Sequence, residues 1–205
     1  MSLVEKLRRA IMAGQYRPGA VLSQTDLANA YGVSRIPVRD ALQSLATEKL
    51  VDIVAGKGAR IPALSDDEVD EIYDLRVSLE CDILGRAMAI ATPQDHADVK
   101  YALQKSSLEA GREGWQAGDW QFHAALYQPA NRSRQMTIID ELRKNCVVHA
   151  NHYAQLSDQT DRWIEEHEKL ADAYIGMRVD EASTILSQHI LAARNGLRKE
   201  IDTGA

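Results

Sequence analysis

The chain has 205 residues, of which 45% are hydrophobic and 26% charged, and its formal net charge is −6. This composition is typical of a globular protein and excludes a largely disordered one. No apolar run approaches the length of a membrane span and the first residues lack a secretory signal, so we expect a cytoplasmic protein with no membrane partner. Cys81 and Cys146 form no C-x-x-C motif, so we expect buried thiols.

The charge is divided unevenly along the chain. Residues 1–65 contain nine Lys or Arg against five Asp or Glu, whereas the remaining residues contain 15 against 25. Only the first part suits a polyanion such as DNA.

The first 64 residues predict three helices followed by a β-hairpin. Apolar residues at helical spacing indicate a first helix that Gly14 ends, and Ser23 opens a second helix that Gly32 ends. A third helix begins after Ser34, a good N-cap residue. Two short strands, 50–54 and 59–61, then flank a Gly-Lys-Gly turn, which predicts a winged helix–turn–helix.

The third helix of this domain is the candidate recognition helix. Val38, Leu42 and Leu45 recur at helical spacing and should be buried, which turns Arg35 and Arg39 together onto the outward face. Guanidinium groups there can bond phosphates or guanine in the major groove. The alternative is an ordinary solvated helix face.

The hairpin would serve as the wing of such a domain. Lys57 and Arg60 would then lie near the DNA backbone or minor groove. The alternative is a hairpin that merely covers the core.

Residues 65–205 predict helices alone. Ser65 and Glu68 form a capping box for a long helix, and Thr92-Pro93 opens the next. Further helical patterns cover about 115–128, 132–155, 160–176 and 180–201, which makes an all-α bundle of about six helices. The apolar face predicted for the long helix consists of Ile72, Leu75, Leu79, Ile83, Ala87 and Ile90.

Four side chains in this bundle form a candidate metal site. Asp119 and His123 are four residues apart and share a helix face, while His167 and His189 lie on the apolar faces of later helices. A divalent ion, zinc or nickel being the best suited, would satisfy all four and keep open positions for water or an anion. The alternative is that each histidine is a core residue bonded to a carbonyl or carboxylate.

Three further residues are candidate effector-binding groups. His149 and His152 share a helix face and would either reach the pocket or be ordinary surface groups. Arg76, one turn before Glu80, would either bind an anionic effector or form a structural ion pair.

The chain resembles the GntR family of bacterial transcriptional regulators. In the first part the resemblance covers Arg17-Pro18-Gly19-Ala20-Val21-Leu22-Ser23, Leu27-Ala28, the run from Tyr31 to Leu42, and Gly56-Lys57-Gly58-Ala59. In the second part it covers Asp74-Leu75-Arg76, Glu80 and Asp119-Trp120-Gln121-Phe122-His123, which resemble the FCD branch of the family.

The resemblance implies a DNA-binding domain over 1–64 and an effector-binding and dimerisation domain over 65–205. The residues expected to bind DNA are Ser34, Arg35, Arg39, Lys57 and Gly58, the last at the tip of the wing. The family commonly has Glu-Arg where this chain has Gln24-Thr25, and Thr in place of Ile36, so one DNA contact is expected to be missing.

For the second domain, FCD domains of the metal-binding type carry an Asp-x-x-x-His pair and two later histidines, which correspond to Asp119, His123, His167 and His189. Two helix–turn–helix units that read a palindrome fit the usual logic of such motifs, so we expect a homodimer that binds a palindromic double-stranded operator. A small organic acid at the metal would control its affinity.

Two rival functions stand beside this one. A helical metalloenzyme would need further signatures, but His167-Glu168 is not followed by the second histidine of a zincin, and no nucleophile elbow or phosphate-binding loop is present. A protein-interaction module would use the basic first part to bind an acidic partner. Salt-sensitive, sequence-selective DNA binding would discriminate against both.

Overall fold

The computed structural model describes residues 1–112, 114–149 and 157–203. These residues form two compact units, one made of Met1–Glu68 with the segment that begins at Glu141, the other of Val69–Asp140 with residues 157–203. The domain boundary expected after residue 64 stays a prediction. In the described residues, no helix is both long enough and apolar enough to cross a bilayer.

The first unit begins with three helices and three short strands. They follow the chain as α1 (Leu3–Met12), β1 (Val21–Ser23), α2 (Gln24–Tyr31), α3 (Arg35–Thr47), β2 (Asp52–Val54) and β3 (Gly58–Arg60).

Local signals account for the ends of these helices. The Ser23 hydroxyl accepts a hydrogen bond from the backbone N–H of Asp26, which caps α2. Gly32 ends α2 with φ at +64°, in the left-handed region that glycine adopts without strain. Ser34 occupies the N-cap position of α3 as expected, although its side chain makes no capping hydrogen bond.

The sheet has one strand more than the sequence predicted. The expected hairpin of β2 and β3 is present, and β1 pairs antiparallel with the other edge of β3, which gives the order β1-β3-β2. Leu22 and Ile53 are both partners of Ala59 in the register. The sequence did not predict β1 because its partner β3 lies far along the chain, whereas a short turn joins β2 directly to β3.

A single apolar core holds the helices and strands of the first unit together. Helix α3 packs against α1 and α2, and also contacts β2 and β3. The buried side chains that form this core include Leu7, Ile11, Leu22, Leu27, Val38, Leu42, Leu45, Leu50, Val51 and Ile61. This core presents α3 with a fixed orientation.

The remaining described helices confirm the predicted all-α architecture. They are α4 (Asp66–Met88), α5 (Pro93–Glu109), α6 (Trp115–Tyr127), α7 (Ser133–His149), α8 (Ser157–Ile175) and α9 (Val179–Thr203), with a short 3₁₀ turn at Gln128–Ala130. Helix α5 packs against α6 and α8, and α8 packs against α9. These contacts bring α6, α8 and α9 into one bundle.

The buried face of α4 differs in part from the predicted one. Leu75 is 45% exposed, and Ile90 is 61% exposed and lies beyond the end of the helix. The buried stripe instead includes Tyr73, Arg76 and Glu80. The apolar pattern was right at Ile72, Ile83 and Ala87, which are buried. It missed the buried ion pair because a search for apolar periodicity assigns charged residues to the solvent face.

Candidate functional site

The outer face of α3 carries the predicted recognition residues. Val38 and Leu45 are completely buried, whereas Arg35 and Arg39 are exposed. The Arg39 guanidinium donates to the Asp40 carboxylate at 3.2 Å, and both side chains are more than 60% exposed. Such a surface ion pair is weak, so a phosphate or a base of DNA can replace the Asp40 carboxylate as the partner of Arg39.

The other predicted DNA-binding residues differ in their exposure. Ser34 and Lys57 are exposed, and Lys57 lies in the turn between β2 and β3. Gly58, expected at the wing tip, is instead the first residue of β3 and is buried. Its φ is +127°, and a Cβ there would overlap the carbonyl oxygen of Leu22. Close packing against β1 therefore explains the glycine.

Three helices of the second unit bring the predicted metal-binding side chains together. Helix α6 supplies Asp119 and His123, α8 supplies His167, and α9 supplies His189. One ligand atom from each residue lies within 4.8 Å of all the others. Asp119 Oδ1 is 3.4 Å from His167 Nε2 and 3.8 Å from His123 Nε2. His167 Nε2 is 3.3 Å from His189 Nε2.

The cluster is enclosed on its imidazole side. His123 is completely buried, and His167 and His189 are 3% and 8% exposed. The Asp119 side chain is 17% exposed. The carboxylate therefore lies at the more open side of the cluster.

The separations fit a transition-metal ion. Ligand bonds of about 2.1 Å place neighbouring donor atoms about 3.0–3.4 Å apart and opposite ones about 4.2 Å apart. Two of the separations in the cluster, 3.3 and 3.4 Å, fall in the first range, and a third, 3.8 Å, lies between the two values. The largest separation between ligand atoms in the cluster, at most 4.8 Å, exceeds the distance expected between opposite donors by about half an ångström.

Helix α8 also supplies a carboxylate that orients His189. His189 Nδ1 lies 2.7 Å from Glu166 Oε2. Burial acts to raise the pKa of Glu166, but the hydrogen bond from His189 and the charges of His189 and Arg162 outweigh it and lower that pKa. The ionised carboxylate accepts a hydrogen bond from a protonated Nδ1, which leaves the lone pair of His189 Nε2 for the centre of the cluster.

The sequence left open whether these histidines are metal ligands or ordinary core residues. The contact between Glu166 and His189 suits both alternatives. His123, His167 and His189 nevertheless form one cluster with Asp119, as the metal alternative requires, and their role as metal ligands stays a prediction. In the metal-free protein, a proton on His167 Nε2 can bridge Asp119 and His189.

Arg76 forms the ion pair that the sequence offered as one of its two roles. Its Nε donates to Glu80 Oε1 at 2.9 Å, and the guanidinium carbon lies 4.8 Å from the centre of the Tyr73 ring. Arg76 is 5% exposed and Glu80 is completely buried. Its alternative role in effector binding stays a prediction.

Two histidines were predicted near the pocket. The side chain of His149 and all of His152 lie outside the part of the chain that the structure describes. Conversely, Glu80, Tyr127 and Glu166 adjoin the cluster and were not predicted as part of it. Tyr127 follows His123 by one helical turn, a spacing that would have indicated a contact. Glu166 had no such signal, because its partner is on another helix.

Comparison with known families agrees with this architecture. Residues 2–61 match the family model described as bacterial regulatory proteins of the gntR family, and residues 71–192 match the FCD domain. The second match alone covers more than half of the chain.

Individual proteins show the same similarity. The HTH-type transcriptional repressor GlaR of Escherichia coli is 26% identical over 203 residues, which cover 90% of this chain and 89% of GlaR. A gluconate operon transcriptional repressor of Bacillus licheniformis is 30% identical over 141 residues, which cover 67% of this chain and 58% of that protein.

A solved structure, E. coli McbR/YncC, superposes with a TM-score of 0.78 at 22% identity and covers 97% of this chain and 96% of that one. At this identity the likeness concerns the fold. FCD domains bind effectors, and the regulators of this family bind DNA and are not enzymes. The chain belongs to the GntR family of bacterial transcriptional regulators and carries an FCD domain.

Proposed function

We propose that this regulator binds its operator with affinity controlled by a small organic acid at a metal ion. The metal is held by Asp119, His123, His167 and His189. The observation that carries this proposal is the convergence of these four ligand atoms to within 4.8 Å in a largely buried cluster. The ion, zinc or nickel, supplies positive charge and open coordination positions for an anionic ligand.

For DNA recognition, Arg35 and Arg39 enter the major groove on α3, and Lys57 contacts the backbone from the turn between β2 and β3. The exposure of all three cations on the first unit supports this role. The protein acts as a homodimer in the cytoplasm and binds a palindromic operator, because two copies of one recognition helix fit two symmetric half-sites.

The effector completes the metal's coordination through a carboxylate. Asp119 is the most exposed of the four ligands, which supports access for a small anion from its side. The effector regulates only if it binds the DNA-binding and non-binding conformations with different affinities. The name of the Bacillus licheniformis relative connects that protein with the gluconate operon, so gluconate is a rational first probe for this chain.

Selection of genomic DNA fragments by the purified protein tests the proposal. We expect enrichment of a short palindrome, with binding that weakens as salt rises. Gluconate and other small hydroxy acids are then titrated against the selected operator in zinc-loaded and chelator-treated protein. A zinc-dependent change in operator affinity supports the proposal, whereas an effector response that is identical after chelation contradicts the metal's role.

A further inference from the structure

A buried row of hydrogen bonds leads from α4 to His123. Arg76 Nε donates to Glu80 Oε1 at 2.9 Å, and the Tyr127 hydroxyl donates to Glu80 Oε2 at 2.8 Å. Tyr127 Oη lies 3.2 Å from His123 Nδ1. Glu80, His123 and Tyr127 are completely buried and Arg76 is 5% exposed, so water does not compete for these bonds.

The chemistry of each group gives this row a direction. Arg76 offers donors alone, and each oxygen of the Glu80 carboxylate accepts one hydrogen bond, from Arg76 and from Tyr127. Because Tyr127 has a single hydroxyl proton and donates it to Glu80, its oxygen is left to accept from His123. That acceptor draws the imidazole proton to Nδ1 and leaves a lone pair on Nε2. Nε2 is the atom that faces Asp119 Oδ1.

We propose that Glu80 and Tyr127, with Glu80 oriented by Arg76, are positioning residues that set the tautomer of His123. They thereby make its Nε2 a ligand for the metal. This inference rests on the proposed metal site, but the tautomer itself exists in the metal-free protein and is measurable there. Groups around a metal ligand that fix its tautomer commonly change metal affinity 10- to 100-fold when they are altered.

The substitution Glu80→Gln keeps the shape of the side chain but reverses the direction of the hydrogen bonds between Glu80, Tyr127 and His123. Arg76 offers only donors and therefore holds the oxygen of the new carboxamide, which directs the amide N–H group at Tyr127. The Tyr127 oxygen then accepts from this amide, and its proton points at His123 Nδ1. The imidazole proton moves to Nε2, where it blocks the metal.

The substitution Tyr127→Phe removes the acceptor altogether and serves as the second variant. Tyr174→Phe is its matched control. Tyr174 is also completely buried, but its hydroxyl has no hydrogen-bond partner among the described residues. Loss of that hydroxyl therefore removes a similar volume and disturbs no hydrogen bond there.

The experiment measures the affinity of the full chain for Zn²⁺ alone, by competition with a chromophoric chelator. We expect a 10- to 100-fold loss in Glu80→Gln and Tyr127→Phe and less than about a threefold change in Tyr174→Phe. A purely structural role predicts instead that affinity follows thermal stability across the three variants. Equal affinities in wild type, Glu80→Gln and Tyr127→Phe overturn the inference.

Long-range ¹H–¹⁵N NMR of the metal-free protein reports the tautomer directly, with His123→Ala used to assign the signal. We expect Nδ1–H in the wild type and a shift towards Nε2–H in Glu80→Gln. A wild-type His123 that carries its proton on Nε2 overturns the inference even if zinc binds. A wild type that binds no zinc but has the Nδ1–H tautomer overturns the metal proposal and keeps the assignment of the hydrogen bonds.

Discussion

The recognition face of α3 and the cluster of α6, α8 and α9 place their functional groups in opposite environments. Arg35 and Arg39 stand in solvent, above a core that apolar residues complete without them. His123 and His167 are themselves part of a core, where a polar atom costs free energy until it is paired. Substitutions at the first surface should therefore affect binding alone, and substitutions in the cluster should affect binding and stability together.

The largest expected effect comes from loss of a metal ligand. At a zinc concentration of about 1,000 Kd, binding to the folded state should raise the free energy of unfolding of the wild type by about 4 kcal/mol. His189→Ala should lose most of this increment. Thermal unfolding with zinc and with chelator measures it.

His96→Ala is the control for this prediction, because His96 lies on α5 and packs against Tyr174 outside the cluster. It should retain the zinc-dependent increment whatever its own stability. If His189→Ala retains the full increment as well, the metal does not bind where we propose, and the contrast between the two regions fails.

A second prediction separates packing from DNA contact in the wing. Gly58→Ala should lower the free energy of unfolding by about 3 kcal/mol, because the added methyl group overlaps the backbone of β1 and must displace it. Gly56→Ala should cost about 1 kcal/mol, since its φ of +73° is strained for alanine but the space around it is open. Urea denaturation compares the two, and equal losses would refute the packing explanation.

The third prediction concerns the recognition face. Arg39→Ala should weaken operator binding by about 1–3 kcal/mol and leave the melting temperature unchanged. Arg86→Ala is the matched control, since Arg86 is also a helical arginine bonded to a nearby aspartate and is 48% exposed. Affinity is measured by fluorescence anisotropy. An Arg39→Ala variant with native melting and wild-type affinity would contradict the recognition-helix assignment.

The smallest expected effect involves the ion pair between Arg8 on α1 and Glu48 at the end of α3, with contacts of 2.8 and 2.6 Å. The hydrogen bond from Arg8 lowers the pKa of Glu48 below its ordinary 4.5. A carboxyl whose pKa is lowered by folding stabilises the folded state at pH values above its ordinary pKa. This contribution is lost as the pH falls through the pKa of the folded state.

Both side chains of this pair are about one third exposed, so Glu48→Gln should cost no more than about 1 kcal/mol at pH 7. The difference from wild type should shrink towards pH 3. Urea denaturation at the two pH values measures it, and a pH-independent difference would exclude the ion pair as its cause.

The sequence by itself determined those features that depend on near neighbours in the chain. The periodicity of Val38, Leu42 and Leu45 was sufficient to place Arg35 and Arg39 outside, because one helix relates all five residues. The capping box of Ser65 and Glu68 was likewise local, and its reciprocal hydrogen bonds are present. The all-α nature of the second part followed from the same kind of short-range pattern.

Tertiary structure alone decided which segments meet. The strand β1 exists because β3 lies beside it, with Ala59 opposite Leu22. Tyr127 reaches Glu80 across 47 residues, and His189 reaches Glu166 across 23. These contacts depend on how helices pack, and helical spacing within one segment carries no information about the partner on another. The sequence could therefore supply the four residues that we propose as ligands, while the groups that orient them required the fold.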